Sequence, residues 1–313
     1  MNSPQSQIKK VEEFLSTLRD FMKKRGYTEV VTPYLRTYPN LDDNIFPLSC
    51  EVERPFSGRE TLYLHTSPEY AMKKLLALYG KDIFQICHVF RNLEGGKLND
   101  VEFLMLEYYK VGKDYRYLME ELEELLKVIF GGEIEYNGKR IPTRIKKISL
   151  KEAYKKYLRL DLELLLSDTE AFKKQLGEKG INFSPEEDGE TLFFRTYVEL
   201  EKFLGFDQPT VVYSFPQPFG ALAKCKNGWC ERFELYIFGI EIANAYTEVA
   251  DEEEIKGRLW EVAKKLNLPL DGEFIKSHRR LPKLYSGISI GLDRLLMLKL
   301  GLNSIFELYY RGL

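Results

Sequence analysis

Near the start of the chain, apolar side chains recur at steps of three and four: Ile8, Val11, Phe14, Leu15, Leu18, Phe21 and Met22. This period predicts an amphipathic helix, closed by Gly26. Residues 27–33 then read as a strand that Pro33 stops. A loop rich in turn residues leads to a short strand around residues 62–65. Thr66, Ser67, Pro68 and Glu69 carry the marks of a helix start: a hydroxyl for the cap, proline in the first turn and a glutamate placed for a capping box. That helix runs through Met72, Leu75 and Leu76 to Gly80. Residues 83–92 and 102–112 are strand-like runs joined by a polar, glycine-containing loop, which predicts a long antiparallel hairpin. A charged helix follows, with Leu118, Leu122, Leu125 and Leu126 on its apolar side.

Residues 131–205 differ in character. They are rich in Lys and Glu, with helical patterning and short Gly or Pro breaks, and read as a helical insertion beside the core. Strands are expected over residues 210–215 and 231–238, and a glycine-spaced strand over 287–291 runs into a helix at Asp293. This order favours one α+β domain over residues 1–313, built on a mostly antiparallel sheet.

Composition narrows the classes of function. Of 313 residues, 44% are hydrophobic and 30% charged, the balance of a globular enzyme. Forty-six Lys and Arg stand against forty-eight Asp and Glu, so no global field draws the chain to a polyanion. The N-terminus lacks the apolar core of a secretory signal, and no apolar run approaches the roughly 20 residues that span a bilayer. Cys50, Cys87, Cys225 and Cys230 are sparse and irregularly spaced, and read as free thiols of a cytoplasmic protein.

Three places carry candidate chemistry. Alternation along the second hairpin strand puts Phe103, Met105, Glu107 and Tyr109 on one face, a possible ligand floor. Taken alone, that strand reads better as an amphipathic one with a half-exposed glutamate. Arg91 ends the preceding strand, within reach of a phosphate or of a surface ion pair. Residues 231–248 set Glu234, Glu241, Asn244 and Glu248 in an otherwise apolar stretch, where carboxylates need partners: a bound cation, or Arg232 and nearby lysines if they are not rim-exposed. Hard oxygen ligands suit Mg²⁺, which binds one or two carboxylates plus phosphate oxygens. Finally, Gly287 and Gly291 permit close approach of a ligand, and Arg294 lies in the first turn of the next helix. No Gly-Lys-Ser or Gly-Lys-Thr triplet follows, so this is not the phosphate loop of nucleotide hydrolases.

Together these residues resemble the class II aminoacyl-tRNA synthetases, over nearly the whole chain. Residues 25–33 are similar to motif 1, the dimer-interface strand ending in proline. Phe90, Arg91 and Asn92, with Glu102 and Phe103, resemble motif 2, and Gly291, Leu292, Asp293 and Arg294 resemble motif 3. Residues 65–76, 83–87, 105–109 and 239–244 are similar to lysyl-tRNA synthetases. They are closer still to the truncated paralogues of those enzymes, the elongation factor P lysyltransferases. The anticodon-binding domain of a lysyl-tRNA synthetase is not expected here.

The resemblance implies an antiparallel sheet flanked by helices, and a homodimeric cytoplasmic ligase using ATP and Mg²⁺. Its substrate would be lysine or β-lysine and its acceptor elongation factor P, with no tRNA and no membrane. By position, Arg91 would bridge the α-phosphate and the amino-acid carboxylate, and Arg294 would hold the γ-phosphate; both count as catalytic. Phe103 would stack on adenine, with Asn92 and Glu241 in the ATP site, and Glu234 with Glu241 would ligate Mg²⁺. Asn244 would contact the carboxylate and Glu69 the α- or β-amino group, while Glu107, Tyr109 and Glu248 would surround a side-chain ammonium. A neutral side chain such as asparagine's would leave those carboxylates without a cation.

The pattern departs from the family at three points. Motif 2 has Leu93 where Glu is usual, followed by Glu94, so contact to the adenine amino group is lost or rearranged. Leu98, Asn99 and Asp100 replace a common His-Asn-Pro. Ser289 stands where lysyl-tRNA synthetases have Gly and the paralogues Ala; Ser67 fits the paralogues. Both serines reshape the amino-group end of the pocket, as a displaced amino group requires. Two rival readings are a free-standing amino-acid ligase, like an asparagine synthetase, and a non-catalytic regulator.

Overall fold

The computed structural model describes residues 4–312. The chain opens with α1 (Pro4–Lys24), β1 (Thr28–Glu29), β2 (Leu35–Arg36), β3 (Leu48–Arg54) and β4 (Gly58–Leu64). Then come α2 (Glu69–Tyr79), the hairpin β5 (Ile83–Phe90) and β6 (Glu102–Val111), and α3 (Tyr115–Phe130). Next are β7 (Glu133–Tyr136), β8 (Lys139–Pro142), β9 (Lys146–Ser149) and helices α4 (Leu150–Ala153), α5 (Leu162–Ser167), α6 (Thr169–Glu178) and α7 (Gly189–Glu201). The last third holds β10 (Thr210–Pro216), β11 (Cys225–Lys226), β12 (Trp229–Ile237) and β13 (Ile240–Thr247). It closes with α8 (Glu252–Leu266), α9 (Gly272–Ser277), β14 (Tyr285–Gly291) and α10 (Leu292–Leu300).

Nine strands form the main sheet, in the order β1-β5-β6-β14-β13-β12-β10-β9, with β11 attached to β12. All pairs from β5 to β10 are antiparallel; only the flanking pairs β1–β5 and β10–β9 run parallel. This is the mixed fold, dominated by an antiparallel sheet, that the element order predicts. Period-two alternation sorts its two faces. Leu106, Tyr108, Ala245, Ile288 and Ile290 point into the core, beneath Leu18 and Met22 of α1, Leu122 of α3 and Leu295 of α10. The intervening residues face a cavity.

Three details in the first half of the chain differ from the sequence reading. Of the expected strand 27–33, only Thr28 and Glu29 pair, in parallel with β5; Val31 beyond them is exposed. The loop before residue 62 contains β3, which pairs with β4 in a separate three-stranded sheet. The expected capping box is absent: α2 begins at Glu69 with Pro68 as its cap residue, and the Glu69 N–H donates to Ser67 Oγ at 3.0 Å. Glu69 turns its carboxylate to Lys73 instead.

Residues 131–205 are not purely helical either. The β7–β8 hairpin precedes β9, which joins the main sheet beside β10. Helices α4 to α7 then build their own core, where Tyr154, Phe172, Phe193 and Leu200 pack on Val212, Phe215 and Tyr236.

The reading of four free thiols is corrected as well. Cys225 and Cys230 form a disulfide, and only Cys50 and Cys87 are free. Asn227 and Gly228 both have positive φ, the turn chemistry of a tight hairpin, and this places the two cysteines directly opposite on β11 and β12. No described helix is long and apolar enough to cross a membrane.

Candidate active site

The cavity, about 1060 Å³, lies on the open face of the sheet between β6, β14, β13 and β12. Of the residues singled out in the sequence, Ser67, Glu69, Arg91, Phe103, Glu107 and Tyr109 line it from the first half of the chain. Glu234, Glu241, Asn244, Glu248, Ser289 and Arg294 line it from the second. Asn92 does not. Its N–H donates to the Phe46 carbonyl and its side-chain oxygen accepts from the Leu93 N–H, which ties it into the loop.

Strand register explains the convergence. Asn244, Ser289 and Glu107 stand opposite one another across β13, β14 and β6, and so do Tyr246, Gly287 and Tyr109. Gly287 is required: a Cβ there would lie 2.3 Å from Glu248 Oε1 and 2.5 Å from the Tyr109 ring. The sheet therefore gives up one side chain so that a carboxylate and a phenol can close over the strand.

The deep end of the cavity is acidic. Ser67 and Tyr109 each donate a hydroxyl to Glu107, at 2.6 Å. Burial and the nearby Glu69 push the Glu107 carboxyl up to about 7, against those hydrogen bonds and Lys73. Glu248 is pushed up by burial, opposed by Lys73. Lys73 is fully buried, with Nζ 2.5 Å from Glu69 Oε1 and 2.6 Å from Glu248 Oε2. Sequence reading missed it. Its signal was a lysine four residues after Glu69, on a helix face that carries Met72 and Leu76 into the interior.

The middle of the cavity is organised by Arg232, which the sequence offers as an ion-pair partner for the nearby glutamates, and the pairing with Glu234 forms. Its Nε donates to Asn244 Oδ1 at 3.2 Å, Nη2 to Glu234 Oε1 at 2.7 Å and Nη1 to the Phe219 carbonyl at 2.6 Å. A guanidinium only donates, so it fixes the Asn244 oxygen towards itself and turns the amide N–H groups the other way. Tyr197 and Tyr236 donate to Glu234 Oε2 at 2.5 and 2.8 Å. Burial and the adjacent Glu234 raise the Glu241 carboxyl, opposed by Arg294 and Arg91. Burial also raises Glu201, to about 7, and Glu241 and Glu234 reinforce it.

At the outer end, the Arg91 guanidinium lies 5.0 Å from the Phe103 ring centre and donates to the Thr66 carbonyl. Arg294 donates to the carbonyls of Leu98 and Glu241, at 3.1 and 2.7 Å, and to Asn99 Oδ1. Asn99 in turn donates to Glu94 at 2.8 Å. The Leu98 carbonyl and the Asn99 side chain thus clasp Arg294, while the departing Asp100 pairs with Arg311 at 2.7 Å. A basic, aromatic wall of this kind suits a nucleotide's phosphates and base.

Residues 2–310 match the family described as tRNA synthetases class II (D, K and N). The chain belongs to that family. It is 47% identical over 300 residues to the elongation factor P–(R)-beta-lysine ligase homolog of Aquifex aeolicus (strain VF5), covering 96% of this chain and 97% of that one. It is 35% identical over 318 residues to the elongation factor P–(R)-beta-lysine ligase of Haemophilus ducreyi (strain 35000HP / ATCC 700724), covering 97% and 92%. The same named ligase of Avibacterium paragallinarum is 34% identical over 306 residues, covering 94% and 91%.

Within this class II synthetase, the Leu93 departure acquires a structural account. Leu93 has φ 64 and an exposed side chain, a left-handed turn that costs about 1–2 kcal/mol in a residue with a Cβ. The turn brings the next residue, Glu94, onto the cavity wall. A carboxylate thus lies on the cavity wall one position after Leu93.

Proposed function

We propose that this protein activates a lysine isomer with ATP as an aminoacyl-adenylate, then transfers it to a lysine side chain of elongation factor P. The carrying observation is the deep end of the cavity, where Glu69, Glu107 and Glu248 face one internal cation, Lys73. A pocket with surplus buried carboxylates disfavours a neutral or acidic side chain and calls for ammonium groups. Asn244 in the middle of the cavity and Arg91 on the basic outer wall would receive the substrate's carboxylate where it meets the α-phosphate.

In the first step a carboxylate oxygen attacks the α-phosphorus, and pyrophosphate leaves with the P–O electron pair. In the second, a neutral ε-amine attacks the adenylate carbonyl, forming an amide and releasing AMP and a proton. Neither step needs a protein nucleophile. Arg91 and Arg294 would hold the phosphates and spread the developing charge, while Asn244 and the carboxylate cluster orient the amino acid. Glu94 would accept from the adenine amino group beside Phe103.

Mg²⁺ fits Glu234 and Glu241. Glu234 lies close enough to Glu241 to help raise its carboxyl, and Glu234 Oε1, with one hydrogen bond described, retains acceptor capacity. Bound there with phosphate oxygens, the ion would supply neutralising charge to the nucleotide.

We further propose a cytoplasmic homodimer meeting through residues 27–33, where Val31 is exposed, and no role for tRNA, consistent with the net charge of −2. Leu93 is the one sequence feature that favours a non-catalytic regulator, and Glu94 on the cavity wall counts against that reading. The test is direct: incubate elongation factor P with the protein, ATP and (R)-β-lysine or α-lysine, and weigh the product. A mass increase of one lysyl unit on a lysine supports the proposal. An unmodified factor, with adenylate formation intact, would reassign the acceptor.

A further inference from the structure

We propose that Lys73 is a specificity-determining residue: a built-in ammonium that cancels one of three carboxylates, so that the deep end of the cavity matches an amino acid carrying two ammonium groups. This rests on the lysine-activating reading above and concerns how the pocket counts charge. Lys73 projects from α2 and is fully buried, with ion pairs to both Glu69 and Glu248. Around it stand Glu69 on its own helix, Glu107 and Tyr109 from β6, Tyr246 from β13, Glu248 just beyond it, Tyr285 from β14 and His278 after α9. Burial and Lys73 hold His278 down at about 4, so it adds no positive charge. Burial holds the tyrosines neutral. Three carboxylates and one ammonium then leave two negative charges without a partner. A buried surplus of that size is costly unless a ligand or bound protons neutralise it.

Lysine isomers bring two ammonium groups here and send their carboxylate towards Arg91. An amino acid with a single ammonium leaves one charge unmet. Lys73 also explains why three glutamates are tolerated: without it the pocket would demand a third cation.

Charge-count variants of the full-length protein test this through amino-acid-dependent ATP–pyrophosphate exchange, measuring KM for lysine across pH. In Lys73→Met, one carboxylate must hold a proton while lysine is bound. KM should then rise with pH, approaching about tenfold per unit between about pH 7 and 8.5, the slope of one linked proton. Wild type should lack that limb. The double variant K73M/E248Q removes a cation and an anion together and should abolish it.

A second comparison stands even if Lys73→Met folds poorly. Glu248→Gln alone leaves a single surplus charge, so adding K73M to it should lower KM for lysine, by about tenfold where one ammonium–carboxylate pairing is regained. If Lys73→Met tracks wild type at every pH, or Glu248→Gln and the double variant share one KM, Lys73 is a structural ion-pair partner only. Wild-type protein that is silent with every lysine isomer would instead count against the lysine-activating reading itself.

Discussion

Tyr197 donates its hydroxyl to Glu234 across 2.5 Å, joining helix α7 to the strand that carries a proposed magnesium ligand. Tyr236 donates to the same oxygen and also reaches Glu201. The helical segment therefore reaches the site itself, although nothing in its sequence names a chemistry. Tyr197→Phe removes one buried hydrogen bond to a charged group, about 1.5–3 kcal/mol. The expected result is roughly a tenfold loss in adenylation that added Mg²⁺ partly restores. A loss insensitive to magnesium would place the role of Tyr197 in folding instead.

Glu94 gives a prediction that separates the two substrates. It lines the cavity beside Asn99, on the side of Phe103 and Arg294 rather than of the acidic cluster. Glu94→Gln should raise KM for ATP several-fold and leave KM for lysine within about twofold, because uniform binding energy is lost on one ligand only. Equal effects on both would contradict its assignment to the adenine side.

The raised carboxyl of Glu107 makes binding pH-dependent in a definite direction. In the ligand-free protein it titrates near about 7, so at lower pH a proton occupies the place of a substrate cation. Unfolded, the same group would ionise near its usual value, so its contribution to stability is lost as pH rises from about 4.5 to about 7. Lysine restores that loss by pairing with the ionised form. Thermal unfolding should show a larger lysine-induced shift at pH 8 than at pH 6. A shift that shrinks with rising pH would contradict this.

Ser289 sits between Asn244 and Glu107 in register, with Oγ 3.4 Å from the Asn244 carbonyl. Ser289→Gly opens space between the carboxylate-holding residue and the acidic cluster. It should raise use of α-lysine relative to β-lysine, measured as the ratio of kcat/KM values. An unchanged ratio would mean that isomer choice is set elsewhere, with Ser67 the next residue to test.

Much of this was legible in the sequence because it depends on local period. Alternation along β6 names Phe103, Met105, Glu107 and Tyr109 as one face, and the cavity uses that face. The helices with three- and four-residue apolar steps appear where that pattern predicts them. What was not legible depends on partners far apart in the chain. Lys73 meets Glu248, 175 residues away, only because α2 packs on β5, β6 and β14, beside the residue that follows β13. Tyr197 meets Glu234 only through the packing of α7 on β10 and β12. The two-residue Asn227–Gly228 turn does signal a hairpin, and with it the Cys225–Cys230 pairing, but the irregular spacing of the four cysteines along the chain hides it.

The central claim is that the acidic cavity serves to adenylate a lysine isomer. The most direct measurement is ATP–pyrophosphate exchange with wild-type protein, run in parallel with α-lysine, both β-lysine enantiomers, asparagine and aspartate. The account predicts exchange with at least one lysine isomer, none with asparagine or aspartate, and at least about a hundredfold loss in Arg91→Ala, the scale of removing one electrostatic donor. Folded protein that is silent with every lysine isomer, or that exchanges as well with asparagine, would contradict it.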